Sequence, residues 1–253
     1  MEAVKIAIIT GASRGLGRSM ALHLAEKGVD ILGTYNRNKD EADAAAAAIK
    51  GYGRRGKMVQ LDVGKMDAIV AFASTLPKTL KDAFERETFD FLINNAGTGA
   101  HAPFADTTEA QFDELMMQHL KAPFFLTQKV LPYMVDGGRI LNVSSGLARF
   151  TYPGASAYAS MKGGVEVLTR YMARELGERK ITANVVAPGA IATDFGGGRV
   201  RDNAQINAMV ASSIPLGRVG LPDDVGAAVS ALLSDDCAWI NGTRIEVSGG
   251  QSI

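Results

Sequence analysis

Short apolar segments alternate with longer segments of helical periodicity along the chain, and this alternation restricts the possible folds more than any other feature. Several short segments are continuous runs of Val, Ile and Leu, which is typical of strands buried on both faces of a parallel sheet. Strands are predicted at 5–9, 30–34, 57–61, 89–93, 139–143, 181–186 and 244–247, and helices at 15–27, 40–50, 67–85, 108–135, 155–178, 202–212 and 222–234. The fourth helix is long, and a bend at Pro123 would make it more than one piece. The pattern predicts a three-layer α/β fold with a doubly wound, mostly parallel, seven-stranded sheet.

Composition narrows the class of protein. The 253 residues are 47% hydrophobic, and no linker or repeat divides them. We therefore predict one domain over 1–253, with a substrate loop around 190–213 that contains three consecutive glycines. The formal net charge of zero argues against a nucleic-acid partner or a membrane surface. The lone Cys237 and the lack of a long apolar run or leader pattern favour the cytoplasm. No metal site is predicted.

A glycine-rich segment, Thr10 to Gly17, follows the first predicted strand and opens the first predicted helix. Glycines let the backbone turn sharply and approach a pyrophosphate, which the helix N-terminus attracts. The spacing is Gly-x3-Gly-x-Gly, and an ordinary glycine-rich turn is the alternative. The predicted cofactor-binding residues here are Gly11, Ser13, Arg14, Gly15, Leu16 and Gly17.

The end of the second predicted strand indicates which dinucleotide is bound. An acid there usually holds the ribose 2′-hydroxyl of NAD, whereas a basic residue accepts the 2′-phosphate of NADP. No acid precedes Asp40, but Arg37 is well placed, and Arg14 adds a second charge. Solvated surface arginines are the alternative. We predict that NADP(H) is preferred and that NAD(H) is possible.

The third and fourth predicted strands end in two further candidates for the cofactor crevice, because carboxyl ends of parallel strands face the ligand. Asp62 and Val63 follow the third strand, and Asn95, Ala96 and Gly97 follow the fourth. Both segments are predicted to contact adenosine. Strand-end caps or turns are the alternative.

Tyr158 and Lys162 are four residues apart in a predicted helix, so they share a face. Lowering a tyrosine pKa from about 10 to about 7 requires roughly 4 kcal/mol. A positive charge about 4 Å away supplies that much at an effective dielectric near 20. The pair therefore predicts a tyrosine that exchanges a proton with an alcohol or carbonyl oxygen. The same spacing recurs at Tyr35 and Lys39, where two asparagines favour a loop and no chemistry is assigned.

These blocks, with Ser144-Ser145 after the fifth strand and Pro188-Gly189 after the sixth, occur in a diagnostic order. Together they resemble the short-chain dehydrogenase/reductase family, and most closely its 3-oxoacyl-(acyl-carrier-protein) reductase type. The resemblance extends from Thr10 to Gly250 and implies a Rossmann fold.

The resemblance also implies roles for the matching residues. Tyr158 is the general acid/base, Lys162 lowers its pKa and holds the nicotinamide ribose, and Ser145 fixes the carbonyl oxygen. Ser144 is the alternative to Ser145, and Asn95 is the adenosine-side asparagine. The nicotinamide end is contacted by Pro188, Gly189, Ile191 and Thr193, although Thr193 has a helix cap as its alternative.

His119 departs from the family pattern, which usually has an asparagine at this position. That asparagine helps to hold a water that links the lysine to solvent. A neutral imidazole both accepts and donates one hydrogen bond, so His119 is included among the catalytic candidates. A tolerated substitution in a slower enzyme, an added pH dependence near neutrality and a broken relay remain open.

The predicted function is NADP(H)-dependent interconversion of a carbonyl and a secondary alcohol, with a 3-oxoacyl thioester as one possible substrate. Arg199 and Arg201 suit an acidic carrier protein, but Asp194 and Asp202 accompany them. The alternatives are a catalytically weak nucleotide-binding sensor and a nucleotide-sugar enzyme. The partner is a small carbonyl or alcohol, and the family implies a homotetramer or homodimer.

Overall fold

The structure is a computed structural model that describes residues 3–253. Within these residues, seven strands form one sheet in the order β3-β2-β1-β4-β5-β6-β7, and every pairing is parallel. The strands are β1 (Ile6–Ile9), β2 (Asp30–Tyr35), β3 (Gly56–Gln60), β4 (Phe89–Asn94), β5 (Met134–Val143), β6 (Thr182–Pro188) and β7 (Arg244–Val247). The predicted doubly wound fold is confirmed.

Helices cover both faces of the sheet. They are α1 (Gly15–Glu26), α2 (Lys39–Gly51), α3 (Met66–Phe84), α4 (Glu109–Met116), α5 (Ala122–Val130), α6 (Ser156–Glu175), α7 (Arg199–Asp202), α8 (Ala204–Ala211) and α9 (Pro222–Leu232). None of those in the described part of the chain combines the length and apolar character needed to cross a membrane.

Two apolar clusters form the core, one on each face of the sheet. On one face, Leu76 of α3 and Leu126 of α5 pack against the strands. On the other, Met20 of α1 and Val229 of α9 do so. Burial of such side chains contributes roughly 1.5–3 kcal/mol each. The apolar runs that predicted the strands are therefore explained by contact with both clusters.

The predicted helix 108–135 is more than one piece, the alternative that Pro123 had left open, and its predicted end is wrong. It divides into α4, a π-helical segment at Met117–Lys121, and α5, followed by the 3-10 turn Leu131–Tyr133. Pro123 has no N–H for the α-helical bond to residue 119, and the Ala122 N–H bonds instead to the Met117 carbonyl five residues back. Residues from Met134 onward join β5, where Met134 pairs with Phe89.

The predicted helix 202–212 is also divided. Asn203 adopts an extended conformation, and its side chain accepts hydrogen bonds from the backbone N–H groups of Gln205 and Ile206. Asn203 is thus an N-cap, and it separates α7 from α8. The other predicted ends differ from the observed ones by a few residues, apart from the start of β5.

The sheet reverses its order of connection at β1, which has β2 on one side and β4 on the other. In open α/β sheets, the crevice at such a switch point binds the ligand. The carboxyl ends of β1, β4, β5 and β6 lie along this edge, and they lead into the segments that carry the predicted site residues.

Candidate active site

The glycine loop leaves the N-terminus of α1 open to an anion. Arg14 is the N-cap of α1, but its side chain makes no capping hydrogen bond. Gly15 has a φ of +53°, and a Cβ there would meet no atom closer than 3.9 Å. Unpaired N–H groups and the helix dipole favour a phosphate at such an end. The loop therefore fits the pyrophosphate of a dinucleotide.

Gly17 allows the loop to fold tightly against the end of β4. A Cβ at Gly17 would lie 2.1 Å from the Gly11 carbonyl oxygen and 2.6 Å from Nδ2 of Asn95. Asn95 Nδ2 donates to the carbonyls of Thr10 and Gly11 at 2.9 and 3.2 Å. In addition, the N–H groups of Asn95 and Ala96 donate to Thr10 Oγ1 at 3.0 Å. Asn95 thus supports the loop itself.

The other predicted adenosine-side residues lie along the same crevice. Asp62 is half-buried, and its Oδ1 accepts the Gly64 N–H at 2.9 Å, so this carboxylate already closes a turn. The neighbouring Val63 is buried. The turn that was the alternative role for Asp62 is therefore present. Gly97 packs against an imidazole, since a Cβ there would lie 2.2 Å from Cε1 of His119.

The two arginines predicted to select the cofactor differ in their surroundings. Arg37 is exposed beyond β2 and has no carboxylate within 4.0 Å among the described residues. Arg14 lies between two carboxylates, with Nε 3.7 Å from Glu41 and Nη1 in contact with Asp194. Arg37 is thus the more available cation for a phosphate.

Tyr158 and Lys162 lie on the buried face of α6, at the carboxyl end of β5. Both are at least nine-tenths buried. The Lys162 Nζ donates to the Val143 carbonyl at 2.7 Å and lies 5.5 Å from the centre of the Tyr158 ring. Ser145 follows β5 and caps a 3-10 turn, where its Oγ accepts the Leu147 N–H at 3.2 Å. The structure thus brings Ser145, on the turn after β5, next to the Tyr158 and Lys162 pair on α6.

Burial shifts the pKa values of this pair towards the neutral forms. It raises the pKa of Tyr158, and the hydrogen bond from Ser145 offsets only part of that rise. Burial lowers the pKa of Lys162 to about 7. The sequence argument expected Lys162 to lower the Tyr158 pKa, but the net shift is upward and its largest cause is burial. Tyr158 is therefore protonated at neutral pH.

His119 lies in the π-helical segment, directly against Tyr158. The imidazole is 2% exposed, and the two rings meet edge to face with their centres 5.0 Å apart. Its Nε2 lies 2.7 Å from the Thr98 carbonyl oxygen. Burial and the charge of Lys162 lower the pKa of His119 to about 3. The imidazole is neutral in the physiological range, so a pH dependence near neutrality is not expected from it.

The segment that follows β6 packs against the Tyr158 ring. The Phe195 ring centre lies 5.9 Å from that of Tyr158. Thr193 Oγ1 accepts the Phe195 N–H at 3.2 Å, so the predicted capping role of Thr193 is present. The three glycines at 196–198 all have positive φ. Ile191 makes a bridge to Gly220, which fixes the root of this segment.

A cavity of about 460 Å³ adjoins this site, between the loop after β4 and the start of α6. Gly154 also belongs to a small recess that Tyr158 lines. The lining is mostly apolar or aromatic, and within the described residues it contains no Asp, Glu, Lys or Arg. It consists of His101, Pro103, Phe104, Leu147, Thr151, Tyr152, Pro153, Gly154, Ala155, Ser156 and Ala159.

Comparison with known proteins decides the family. A family model described as Enoyl-(Acyl carrier protein) reductase matches residues 11–252. Versicolorin reductase stcU of Emericella nidulans is 33% identical, with 97% of this chain and 95% of that protein covered. The chain belongs to the short-chain dehydrogenase/reductase family. A short-chain type dehydrogenase/reductase of Picea abies is 35% identical over 98% of this chain and 92% of that protein.

Solved reductases of the same family share the complete fold. The promiscuous reductase LugOII, which catalyses keto-reduction at C1 during lugdunomycin biosynthesis, superimposes with a TM-score of 0.94. It is 37% identical, and 99% of each chain is covered. The angucycline C-6 ketoreductase LanV with bound NADP gives a TM-score of 0.92 at 36% identity, covering 98% of this chain and 95% of that one. The protein is therefore an oxidoreductase of the carbonyl/alcohol type.

In this short-chain dehydrogenase/reductase, an ion-pair network behind Ser144 and Ser145 was missed by the sequence reasoning. The Ser144 hydroxyl donates to Glu166 at 2.6 Å, and Arg244 Nε donates to the same carboxylate at 2.8 Å. Arg244 Nη2 also donates to the Ser145 carbonyl at 3.1 Å. The Ser144 hydroxyl is thus occupied by its hydrogen bond to Glu166. Ser145 is the serine beside Tyr158. The spacing of Glu166, four residues after Lys162, was the available signal.

The network continues to the C-terminal segment and to the residues after β6. Arg149 pairs with Glu246 and donates to the carbonyls of Gln251 and Ser252. The Gln251 side chain then accepts the Ala190 N–H at 2.9 Å. A Cβ at Gly189 would lie 2.9 Å from this side chain, so a larger residue there would disturb it. Pro188 and Gly189 are thereby held next to the crevice.

Proposed function

We propose that this protein is an NADPH-dependent ketoreductase that reduces a bulky, largely aromatic ketone, with Tyr158 as proton donor. The observation that carries the proposal is the buried, protonated Tyr158 phenol, which lies beside Ser145 and Lys162 and next to an apolar cavity. When bound, the reduced cofactor supplies the hydride that reaches the carbonyl carbon.

The three side chains divide the work on the carbonyl oxygen. The Ser145 hydroxyl donates a hydrogen bond to this oxygen and fixes its position, and Tyr158 transfers its proton as negative charge develops there. Lys162 in its charged form then stabilises the phenolate that remains. Tyr158 holds its proton before the reaction begins, so it can transfer it to the carbonyl oxygen as the hydride arrives at carbon.

The glycine loop, Arg14 and Arg37 are proposed to hold NADP(H). The open N-terminus of α1 suits the pyrophosphate, and the free guanidinium of Arg37 suits a 2′-phosphate. The structure of LanV contains NADP, and a structurally similar blue fluorescent protein from a metagenomic library was solved in complex with NADPH. Asp62, Val63, Asn95, Ala96 and Gly97 form the adenosine side of this site, and Pro188, Gly189, Ile191 and Thr193 its nicotinamide side. NAD(H) remains a weaker candidate.

The cavity supports an aromatic ketone over an acyl thioester. Its volume and apolar lining suit fused rings, and Tyr152 and Phe104 offer aromatic surfaces. LugOII is named as catalysing keto-reduction at C1, and LanV is named as an angucycline C-6 ketoreductase. The basic surface that an acidic carrier protein needs is weak here, because Arg201 pairs with Asp202 and Arg14 with Asp194. The 3-oxoacyl thioester stays a prediction that the same assay tests.

The test is NADPH oxidation with a panel containing 2-tetralone, a hydroxylated naphthalenone, and acetoacetyl thioester. The ring ketones should give kcat/KM values on the order of 10-fold or more above the thioester. Ala159→Leu partly fills the cavity and should lower kcat/KM for the ring ketones more than for a small ketone. A thioester preferred by the wild-type protein would overturn the substrate assignment.

The Tyr158→Phe variant tests the chemistry separately. It removes only the hydroxyl, so turnover should fall by on the order of 1,000-fold, while the Kd for NADPH stays within about 2-fold. Thermal unfolding with and without NADPH checks that the variant folds and binds. Turnover that survives this change would contradict the role of Tyr158.

The predicted assembly and organisation are also retained as proposals. We infer one domain over 1–253 that forms a homotetramer or homodimer in the cytoplasm. Exposed apolar side chains on the helices that would form such an interface support this, namely Phe112 on α4, Phe124 on α5, and Val167 and Tyr171 on α6. Sedimentation of the purified protein tests the assembly directly.

A further inference from the structure

We propose that Arg244, the first residue of β7, is a positioning residue that fixes the Ser145 turn opposite Tyr158. The Ser145 turn is the 3-10 turn Gly146–Ala148 together with its capping residue, Ser145. The effect of Arg244 on turnover rests on the proposed function. Its effect on the backbone of the turn can be measured without a substrate.

Two local hydrogen bonds close the Ser145 turn. Ser145 Oγ accepts the Leu147 N–H at 3.2 Å, and the Ser145 carbonyl accepts the Ala148 N–H at 3.1 Å. Hydrogen bonds of a 3-10 turn have poorer geometry than those of an α-helix. Arg244 adds a bond from a strand 99 residues away, because its Nη2 donates to the same carbonyl at 3.1 Å. The backbone of Ser145 is therefore tied to the sheet.

Two carboxylates fix the orientation of the Arg244 guanidinium. Its Nε donates to Glu166 of α6 at 2.8 Å, and its Nη1 donates to Glu246, two residues further along β7. These three side chains are largely buried, with 15 to 23% of each exposed. A guanidinium is a rigid planar fork with five donors, so fixing Nε and Nη1 also fixes the direction of Nη2. Nη2 is thus directed at the Ser145 carbonyl.

The guanidinium keeps its charge at this partly buried position. Burial alone would lower the pKa of Arg244, but the hydrogen bonds to Glu246 and Glu166 outweigh it, and the net shift is upward. A hydrogen bond with an ionised donor is roughly twice as strong as a neutral one. We therefore expect the bond from Arg244 to stabilise the Ser145 turn more than either local bond does.

Arg244 also connects the turn to the helix that carries Tyr158. Glu166 of α6 accepts both the Ser144 hydroxyl at 2.6 Å and the Arg244 Nε. The proton donor on α6 and Ser145 on the turn are therefore linked through one guanidinium. A misplacement of about 1 Å can lower a rate by on the order of 100-fold. Release of the Ser145 turn should accordingly lower kcat.

The first experiment is amide hydrogen exchange of the full-length protein, followed residue by residue by NMR. In Arg244→Met, the Leu147 and Ala148 amides should exchange on the order of 10-fold faster than in wild type, because the turn loses its bond from β7. The amide of Ile140 in β5 is the reference that corrects for a global loss of stability. Unchanged exchange at the two turn amides would overturn the proposal, even for a protein without turnover.

Arg139→Met is the matched control for the loss of a guanidinium. Arg139 also donates to a backbone carbonyl and to a carboxylate, those of Ser234 and Asp235, but these follow α9 rather than β5. This variant should have a lower melting temperature and unchanged relative exchange in the Ser145 turn. If it accelerates that exchange as much as Arg244→Met does, the proposed positioning role is wrong.

Arg244→Lys carries the test if the methionine variant does not fold. The ammonium keeps a positive charge between the two carboxylates, but it has no planar fork to direct a third donor at Ser145. Exchange at the turn amides should therefore still rise by at least about 3-fold. Wild-type exchange in this variant would refute the role of the guanidinium.

The second experiment measures kcat with the ring ketone that the wild type reduces best. Arg244→Met should lose on the order of 10-fold in kcat, because Ser145 no longer holds the carbonyl oxygen in place. The Kd for NADPH should stay within about 2-fold of the wild-type value, since the glycine loop is untouched. Arg139→Met should keep the wild-type kcat. An unchanged kcat in Arg244→Met would contradict the proposal.

A double-mutant cycle with Ser145→Ala separates positioning from a general structural effect. If Arg244 acts through the Ser145 hydroxyl, Arg244→Met should cost less than about 2-fold in kcat once that hydroxyl is absent. A further loss of about 10-fold in this background would overturn the positioning role. A wild-type protein with no turnover on any ketone would instead refute the proposed function, and the exchange rates would still decide whether Arg244 holds the turn.

Discussion

The nucleotide side and the chemical side of the crevice lie on the same edge of one sheet but consist of different kinds of chemical groups. The nucleotide side consists mainly of backbone, glycines and exposed arginines, and its key feature is the close approach of Gly17 to Gly11. The chemical side consists of buried polar side chains, Tyr158, Lys162 and His119, whose pKa values all move towards the neutral form. The nucleotide side depends on the shape of its backbone, and the chemical side depends on the protonation of its side chains.

This difference determines how a substitution on each side should impair binding or stability. Adding atoms on the nucleotide side closes space that only glycine leaves open, and the loss should not depend on pH. Removing an ionisable group on the chemical side also removes the cost of burying it, so stability should change with pH. Each prediction below tests one side of this contrast.

The largest expected effect on cofactor binding comes from Gly17→Ala. The new methyl would lie 2.1 Å from a backbone carbonyl oxygen, and a backbone atom cannot move aside as a flexible side chain can. Strain of this kind costs about 3 kcal/mol, and displacement of the loop should weaken NADPH binding by at least about 100-fold. Calorimetric titration and thermal unfolding measure the two losses.

Gly51→Ala at the end of α2 is the matched control, because a Cβ there meets nothing within 4 Å. It should leave both NADPH affinity and melting temperature near the wild-type values. If Gly17→Ala bound NADPH normally, or lost binding only in part of the pH range, the shape argument for this side would be wrong.

A smaller effect, with a definite pH dependence, is expected from Lys162→Met. The folded pKa of about 7 lies below the ordinary 10.5. Below pH 7 the lysine is charged in both states, and the folded protein bears the full cost of burial. Between pH 7 and 10.5 the unfolded chain holds a proton that the folded protein has lost, so the wild-type stability rises by up to about 1.4 kcal/mol per pH unit.

The methionine variant should therefore be more stable than wild type at pH 7, by a margin that shrinks by roughly 2–3 kcal/mol up to pH 9. Urea unfolding at several pH values gives the difference. Lys121→Met provides the background for the loss of one lysine, because Lys121 is exposed. A constant margin for Lys162→Met would mean that Lys162 is charged in the folded protein throughout.

The sequence placed the glycine turn of the nucleotide side correctly between β1 and α1, because such a turn is local. Gly11, Gly15 and Gly17 have their meaning within one strand–helix turn, and the alternation of apolar runs placed that turn at the sheet edge. The assignment of Tyr158 and Lys162 to one helix face likewise needed only their spacing. The upward shift of the Tyr158 pKa was not predicted, because desolvation depends on everything packed around α6.

The remaining errors also come from non-local effects. Apolar residues continue from α4 into β5, so periodicity gave one long helix where Pro123 and the pairing of Met134 with Phe89 impose three elements. The role of Arg244 behind Ser145 could not be predicted, because 99 residues separate the two atoms that meet. Such contacts depend on which strands are neighbours, and pairing across β6 and β7 decides that.

The smallest expected effect separates the two arginines of the nucleotide side. Arg37 has no carboxylate partner in the described chain, so Arg37→Gln should weaken NADPH binding about 10-fold, or about 1.4 kcal/mol, and leave NADH binding unchanged. Arg14 already contacts Glu41 and Asp194, and a phosphate must compete with both, so Arg14→Gln should cost less. The exposed Arg170 on α6 is the control for loss of one positive charge. Equal weakening of NADPH and NADH by Arg37→Gln would place this guanidinium on the shared part of the two cofactors, and the nucleotide side would then select by shape alone.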